Sequence, residues 1–150
     1  MSTHCYLNAL GVVSALGANG TDVARRAFLG TSGVLPSAQF SGEASLSLGA
    51  VTDELPDLSG RPLGMQSRNN QLAQLAASQL RTTLDPLIAR FGAHRVAVVV
   101  GTSTSGIGEA EAAFRRYVID HELPDTFTVG QQELASVARF LSAFHLATSS

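Results

Sequence analysis

A layered α/β fold is predicted here by three features of the sequence. Val96–Val100 (VAVVV) is apolar with no polar alternation, as in a central strand covered on both faces. Cys5–Ser14 (CYLNALGVVS) is a second apolar segment rich in strand formers, and it reads as a buried strand running into a glycine turn. Segments of helical spacing follow each of them, giving the order strand, helix, helix, strand, helix, helix. Two strong strands are too few for a sheet with helices on both faces, so more strands are expected beyond Ser150. No repeat or linker divides residues 1–150, which read as one domain with a core of its own.

Each element has a local cause. After Gly17 and Gly20, Thr21 is the expected N-cap of a first helix, with Asp22 at its positive end. Val23, Ala24, Ala27 and Phe28 form one apolar side of that helix, and Gly30 and Gly33 end it. Residues 31–62 are rich in Gly, Ser and Pro and read as loop, with two weak strand candidates near Leu46–Val51. Ser67 caps a helix carrying Leu72, Leu75, Ala76, Gln79 and Leu80 at helical spacing. Asp85-Pro86 reads as a cap followed by Pro at the first helical position of a short helix that closes at Gly92. Gly101–Gly108 (GTSTSGIG) is a small-residue turn. A helix from Glu109 to Val118 follows, acidic early and basic late. Gln131–Phe144 reads as the last helix, with Leu134, Val137, Ala138, Leu141 and Phe144 on one side.

Composition excludes several functions. The 150 residues are 45% hydrophobic and 15% charged, with a formal net charge of -2 and no basic block. That describes a globular chain with no electrostatic case for nucleic acid or an anionic membrane surface. All ten basic residues are arginine, so no mechanism needing a lysine from these residues applies. Cys5 is the only cysteine, which excludes an internal disulfide and a thiolate zinc cluster. No signal peptide is visible, and no apolar run nears the roughly 18–20 residues of a membrane span. A cytoplasmic protein is the default expectation.

The motifs that suggest chemistry mostly fail on inspection. GTSTSG stands between a strand and a helix, where a phosphate-cradling loop would stand. Yet Gly106 is followed by Ile107 and Gly108, not by the Lys-Ser/Thr of a Walker loop. A dinucleotide fingerprint would need a third glycine where Glu109, Ala110 and Glu111 stand, and two carboxylates would repel a pyrophosphate. A tight turn is the better reading. His121-Glu122 lacks the second histidine of a zincin helix, and Pro124 breaks the helix that would align the pair. His4, His94 and His145 are scattered singly, so no metal site is expected. Cys5 reads as a small hydrophobic strand residue rather than a nucleophile.

Several segments together carry a resemblance. Leu10-Gly11-Val12-Val13-Ser14-Ala15-Leu16-Gly17, with a helix ending Leu29-Gly30-Thr31-Ser32-Gly33, is similar to the opening of the β-ketoacyl–acyl carrier protein synthases. Ser67–Ala73 (SRNNQLA), Arg95–Gly106 (RVAVVVGTSTSG) and Gln131–Leu141 resemble later segments of that family, in its order. The wording of R-N-N-Q and G-T-S-T-S-G-I resembles the KAS I-like branch of aryl-polyene and related pathways. The resemblance covers essentially the whole chain. It implies the N-terminal portion of a thiolase-like fold, truncated before the nucleophile strand.

By that resemblance the activity is decarboxylative Claisen condensation of an acyl thioester with malonyl-carrier, in fatty acid or polyketide biosynthesis. It implies a dimer with itself or a related ketosynthase, acyl carrier protein as partner and no cofactor. The family's nucleophile (in T-A-C-x-S), two histidines and lysine have no match here, so no catalytic residue is assigned and Cys5 inherits no role. Thr104, flanked by Ser103 and Ser105, matches the loop lining the acyl tunnel. Arg61, and Arg68 beyond it, match the segment that docks the acidic carrier. A chain-length-factor-like partner without a nucleophile stays open, as does a stand-alone α/β binding module.

Overall fold

The computed structural model describes residues 4–37 and 45–146. The chain divides into two compact units, Met1–Glu54 with Leu75–Leu84, and Leu55–Gln74 with Asp85–Ser150.

In the first unit α1 spans Gly20–Phe28. Its N-cap is Asn19, not Thr21, because the Asn19 amide oxygen reaches the Asp22 N–H at 2.9 Å. Asp22 also pairs with Arg25 at 2.9 Å. The Arg25 hydrogen bond, then that of Asn19, lowers the Asp22 carboxyl below its ordinary value. At the other end Gly30 N–H donates to Ala27 O and Thr31 N–H to Arg26 O, the paired bonds of a Schellman stop. Strand β1 (Val34–Ser37) pairs antiparallel with β2 (Leu46–Gly49), with Val34 opposite Gly49 and Ser37 opposite Leu46. The second strand falls at the Leu46–Val51 candidate. The first falls in the segment expected as loop, where Pro36 removes a ladder donor from a four-residue strand.

Cys5–Ser14 is not a buried strand. Cys5 is exposed and Leu7 is 98% exposed. Ser14 makes an isolated backbone bridge with Gly17, and Val12 is paired by a side chain. The Gln79 amide accepts from Val12 N–H at 3.2 Å and donates to Val12 O at 3.1 Å, as a neighbouring strand would. Gly11 lies so close to this helix end that a Cβ there would stand 2.1 Å from Ala76 O.

Helix α2 (Arg68–Ser78) starts in the second unit, and Ser67 Oγ caps it by accepting from Asn70 N–H at 3.2 Å. Helix α3 is Arg81–Phe91, with Pro86 inside it rather than at its first position. The helix starts early because Leu80 O accepts from both Thr83 and Leu84 N–H, so Asp85 is not a cap. It closes at Gly92 as expected, with Gly92 N–H on Ile88 O.

Val96–Val100 is likewise no strand among the described residues, and Val99 is 92% exposed. The composition suits a ladder, but no described segment supplies the partner. Helix α4 spans Ile107–Asp120, a turn longer than expected in total. Helix α5 spans Ser136–Leu146 and carries Val137 and Phe140 into the core with Leu58 and Ala113. It starts five residues later than expected because Val129–Gln131 forms a separate 3-10 turn, which leaves Leu134 exposed. The cause is a capping box, in which Thr128 and Gln131 exchange side-chain to backbone bonds.

Candidate functional site

The small-residue loop 101–106 is the best-defined candidate, because three elements of the second unit hold it. Thr102 Oγ1 donates to Thr104 O at 2.6 Å and lies 3.3 Å from Thr104 N–H, which closes the loop on itself. Asn69, in the first turn of α2, donates from Nδ2 to the same carbonyl at 3.2 Å. The Ser105 hydroxyl donates to Gln131 O at 3.3 Å. Gly106 then takes φ 50° and opens α4 as its N-cap.

Asn70 and Ser136 are buried polar side chains of the same unit, and Asn70 is bonded through its Nδ2 while its Oδ1 has no hydrogen-bond partner among the described residues. Asn70 is 0% exposed; it donates to Met65 O at 2.9 Å and lies 3.4 Å from Ser136 Oγ. Ser136 Oγ donates in turn to Gly64 O at 3.3 Å. Glu109, in the first turn of α4, accepts from the Arg68 N–H at 2.8 Å, so one helix's carboxylate caps another helix. An open cleft of about 440 Å³ lies alongside, bounded by Leu63, Phe127 and Ala113 on its apolar side and by Gln66, Glu109 and Gln131 on its polar side. A smaller cleft of about 220 Å³ shares Gln66 and Glu109 and has Arg68 on its wall.

The residues expected from the sequence are therefore partly brought together. Thr104 and Ser103 are exposed, whereas Ser105 faces inward and is buried. Arg68 is exposed at the start of the helix that holds Thr104. Arg61 is half-buried, and its carbonyl accepts from Gln66 Nε2 at 2.7 Å. Gln66, Glu109 and Gln131 were not anticipated. Only Gln131 had a legible signal, the Thr-x-x-Gln spacing of a capping box. No group of three His, Cys, Asp or Glu side chains among the described residues could hold a metal. No described helix is long and apolar enough to cross a membrane.

This arrangement is that of a ketosynthase-like α/β fold. The chain is similar to a chain in the solved complex of the ketosynthase ApeO with its chain length factor ApeC from Xenorhabdus doucetiae. The identity is 34% and the TM-score 0.80, over 98% of this chain and 39% of that chain. At that identity the likeness is one of sequence as well as fold. No family model matches the chain, and no curated protein does.

Proposed function

We propose that the chain is an N-terminal segment of a thiolase-like condensing unit, where it supplies the acyl-pocket loop and the carrier-docking face. The carrying observation is the likeness to the ketosynthase–chain length factor complex over 98% of this chain. The reaction loads an acyl group onto a cysteine thiolate. Malonyl-carrier then loses CO₂, and its carbanion attacks the thioester and displaces the thiolate. Cys5 does not match the family's nucleophile segment, so the nucleophile is assigned to residues other than these. A chain-length-factor-like role is the second reading. It is favoured by the presence of such a factor in the neighbouring complex.

The two readings separate by where the acyl group lands. The protein is purified from its host with any chain that copurifies, then incubated with acyl thioester and acyl carrier protein. Mass spectrometry locates the acyl-cysteine. An adduct on the polypeptide that carries this sequence supports the ketosynthase reading. An adduct on the copurifying chain supports the chain-length-factor reading. No adduct anywhere overturns both.

Thr104 is exposed on the loop, so added bulk there does not disturb the core, and by the resemblance it projects into the acyl tunnel. Thr104→Phe is expected to shorten the acyl chain accepted, since each methylene excluded is worth about 1–3 kcal/mol of discrimination. Product analysis by chain length checks this, and an unchanged profile in a folded variant removes Thr104 from the pocket.

Arg61 and Arg68 are matched to acidic carrier protein by charge. Arg61→Glu is expected to raise KM for carrier-bound substrate several-fold, roughly the effect of a rim charge on encounter. The defect shrinks as salt rises, because screening removes the field. Activity on a small acyl thioester without the carrier stays the same. Equal loss on both substrates would make Arg61 structural.

A further inference from the structure

We infer that Gln131 is a positioning residue that holds the Arg61 segment and the Ser103–Ser105 loop in one register. Its consequence for turnover rests on the ketosynthase-like reading, but the physical link rests on geometry alone. Three hydrogen bonds run in series. Gln66 Nε2 donates to Arg61 O at 2.7 Å. Gln131 Nε2 donates to Gln66 O at 2.7 Å. Ser105 Oγ donates to Gln131 O at 3.3 Å.

Gln131 can serve this role because every polar group it has is taken. Its Oε1 accepts from Thr128 N–H at 2.9 Å, and its own N–H donates to Thr128 O at 3.0 Å. At 2% exposure its side chain has no water to fall back on, so rotating away leaves buried groups unpaired. Gly106 closes against it, since a Cβ there would lie 2.2 Å from Gln131 O. The chemistry requires an amide, which donates to one neighbour and accepts from another at this length. Ionised glutamate has the same shape and no donor.

The test compares Gln131→Glu, Gln66→Ala and Ser105→Ala with the wild type in the protein purified from its host, copurifying chain included. Amide hydrogen exchange is read at Arg61, Met65 and Gln66, and at Thr104. At about pH 8, Gln131→Glu is expected to speed exchange about tenfold in both segments together. Lowering the pH to about 5 spans the range of a buried carboxyl. The protonated acid then donates to Gln66 O and accepts from Thr128 N–H, so protection returns. A merely disruptive substitution has no such pH reversal. Gln66→Ala is expected to free only the Arg61 segment, and Ser105→Ala only the loop. These two variants decide the matter if Gln131→Glu does not fold. Exchange changes confined to residues 128–132, changes that persist at low pH, or no effect of Gln66→Ala and Ser105→Ala would each overturn the link.

Kinetics then separate the link from the functional reading. Gln131→Glu is expected to raise KM for carrier-bound substrate and to shift the chain-length profile together. If Arg61→Glu and Thr104→Phe move these quantities and Gln131→Glu does not, Gln131 is not a positioning residue. If all three are silent while exchange responds as described, the link stands and the docking and pocket reading fails.

Discussion

Gly106→Val is expected to cost about 3 kcal/mol or more of stability, the scale of backbone strain compounded with a buried clash. Two causes add. Gly106 sits at φ 50°, a left-handed conformation that a β-branched residue strongly resists. A side chain there also meets backbone, since its Cβ would lie 2.2 Å from the Gln131 carbonyl oxygen and 2.6 Å from the carbonyl carbon. Backbone cannot swing aside as the end of a flexible side chain can, so either the loop or the 129–131 turn must move. Gly108 is the control. It lies in α4 with nothing within 4 Å of its Cβ position, so Gly108→Ala is expected to be neutral or to stabilise by about 0.5–1 kcal/mol. Thermal melting of the purified protein checks both. Equal effects at the two positions would mean that the loop does not rest against Gln131.

The second large effect concerns association. Leu7 is 98% exposed, and Phe28 and Val99 are each 92% exposed. Val96–Val100 belongs to no sheet among the described residues and exposes apolar side chains, which makes it a template for strand pairing. The 150-residue chain produced alone is expected to bind a hydrophobic dye strongly, to elute as assemblies and to lack a sharp melting transition. Val99→Lys places a charge on that edge without disturbing the core, so it is expected to reduce the assembled fraction. A monodisperse wild-type monomer with a cooperative transition would show that the segment is not an open edge.

The two failed strand assignments share a physical origin with this prediction. Val96–Val100 and Cys5–Ser14 have strand composition, but a strand exists only when another backbone completes its hydrogen bonds. Among the described residues the completion comes from elsewhere or not at all. Val12 receives it from the Gln79 side chain, and Val99 faces outward. The displaced start of α5 has a different origin. The apolar spacing from Leu134 onward fits a helix, yet the Thr128–Gln131 capping box spends Gln131 on its own turn first. That signal was local and could have been read.

What the sequence determined by itself is the set of features that close within a few residues. Ser67 caps α2 three residues ahead, the Leu29-Gly30-Thr31 stop ends α1, and Gly92 ends α3. The small-residue character of loop 101–106, its place before a helix and the likeness to ketosynthase-like chains are also in the residues alone. Tertiary structure decided how that loop is held. Glu109 caps a helix 41 residues away, Asn69 reaches Thr104 across 35, and Gln131 reaches Gln66 across 65. Glutamine, asparagine and glutamate at such positions look like ordinary surface residues in a sequence. For Gln131, burial is what makes the hydrogen bonds obligatory, and burial is fixed by which distant segments the fold sets against it.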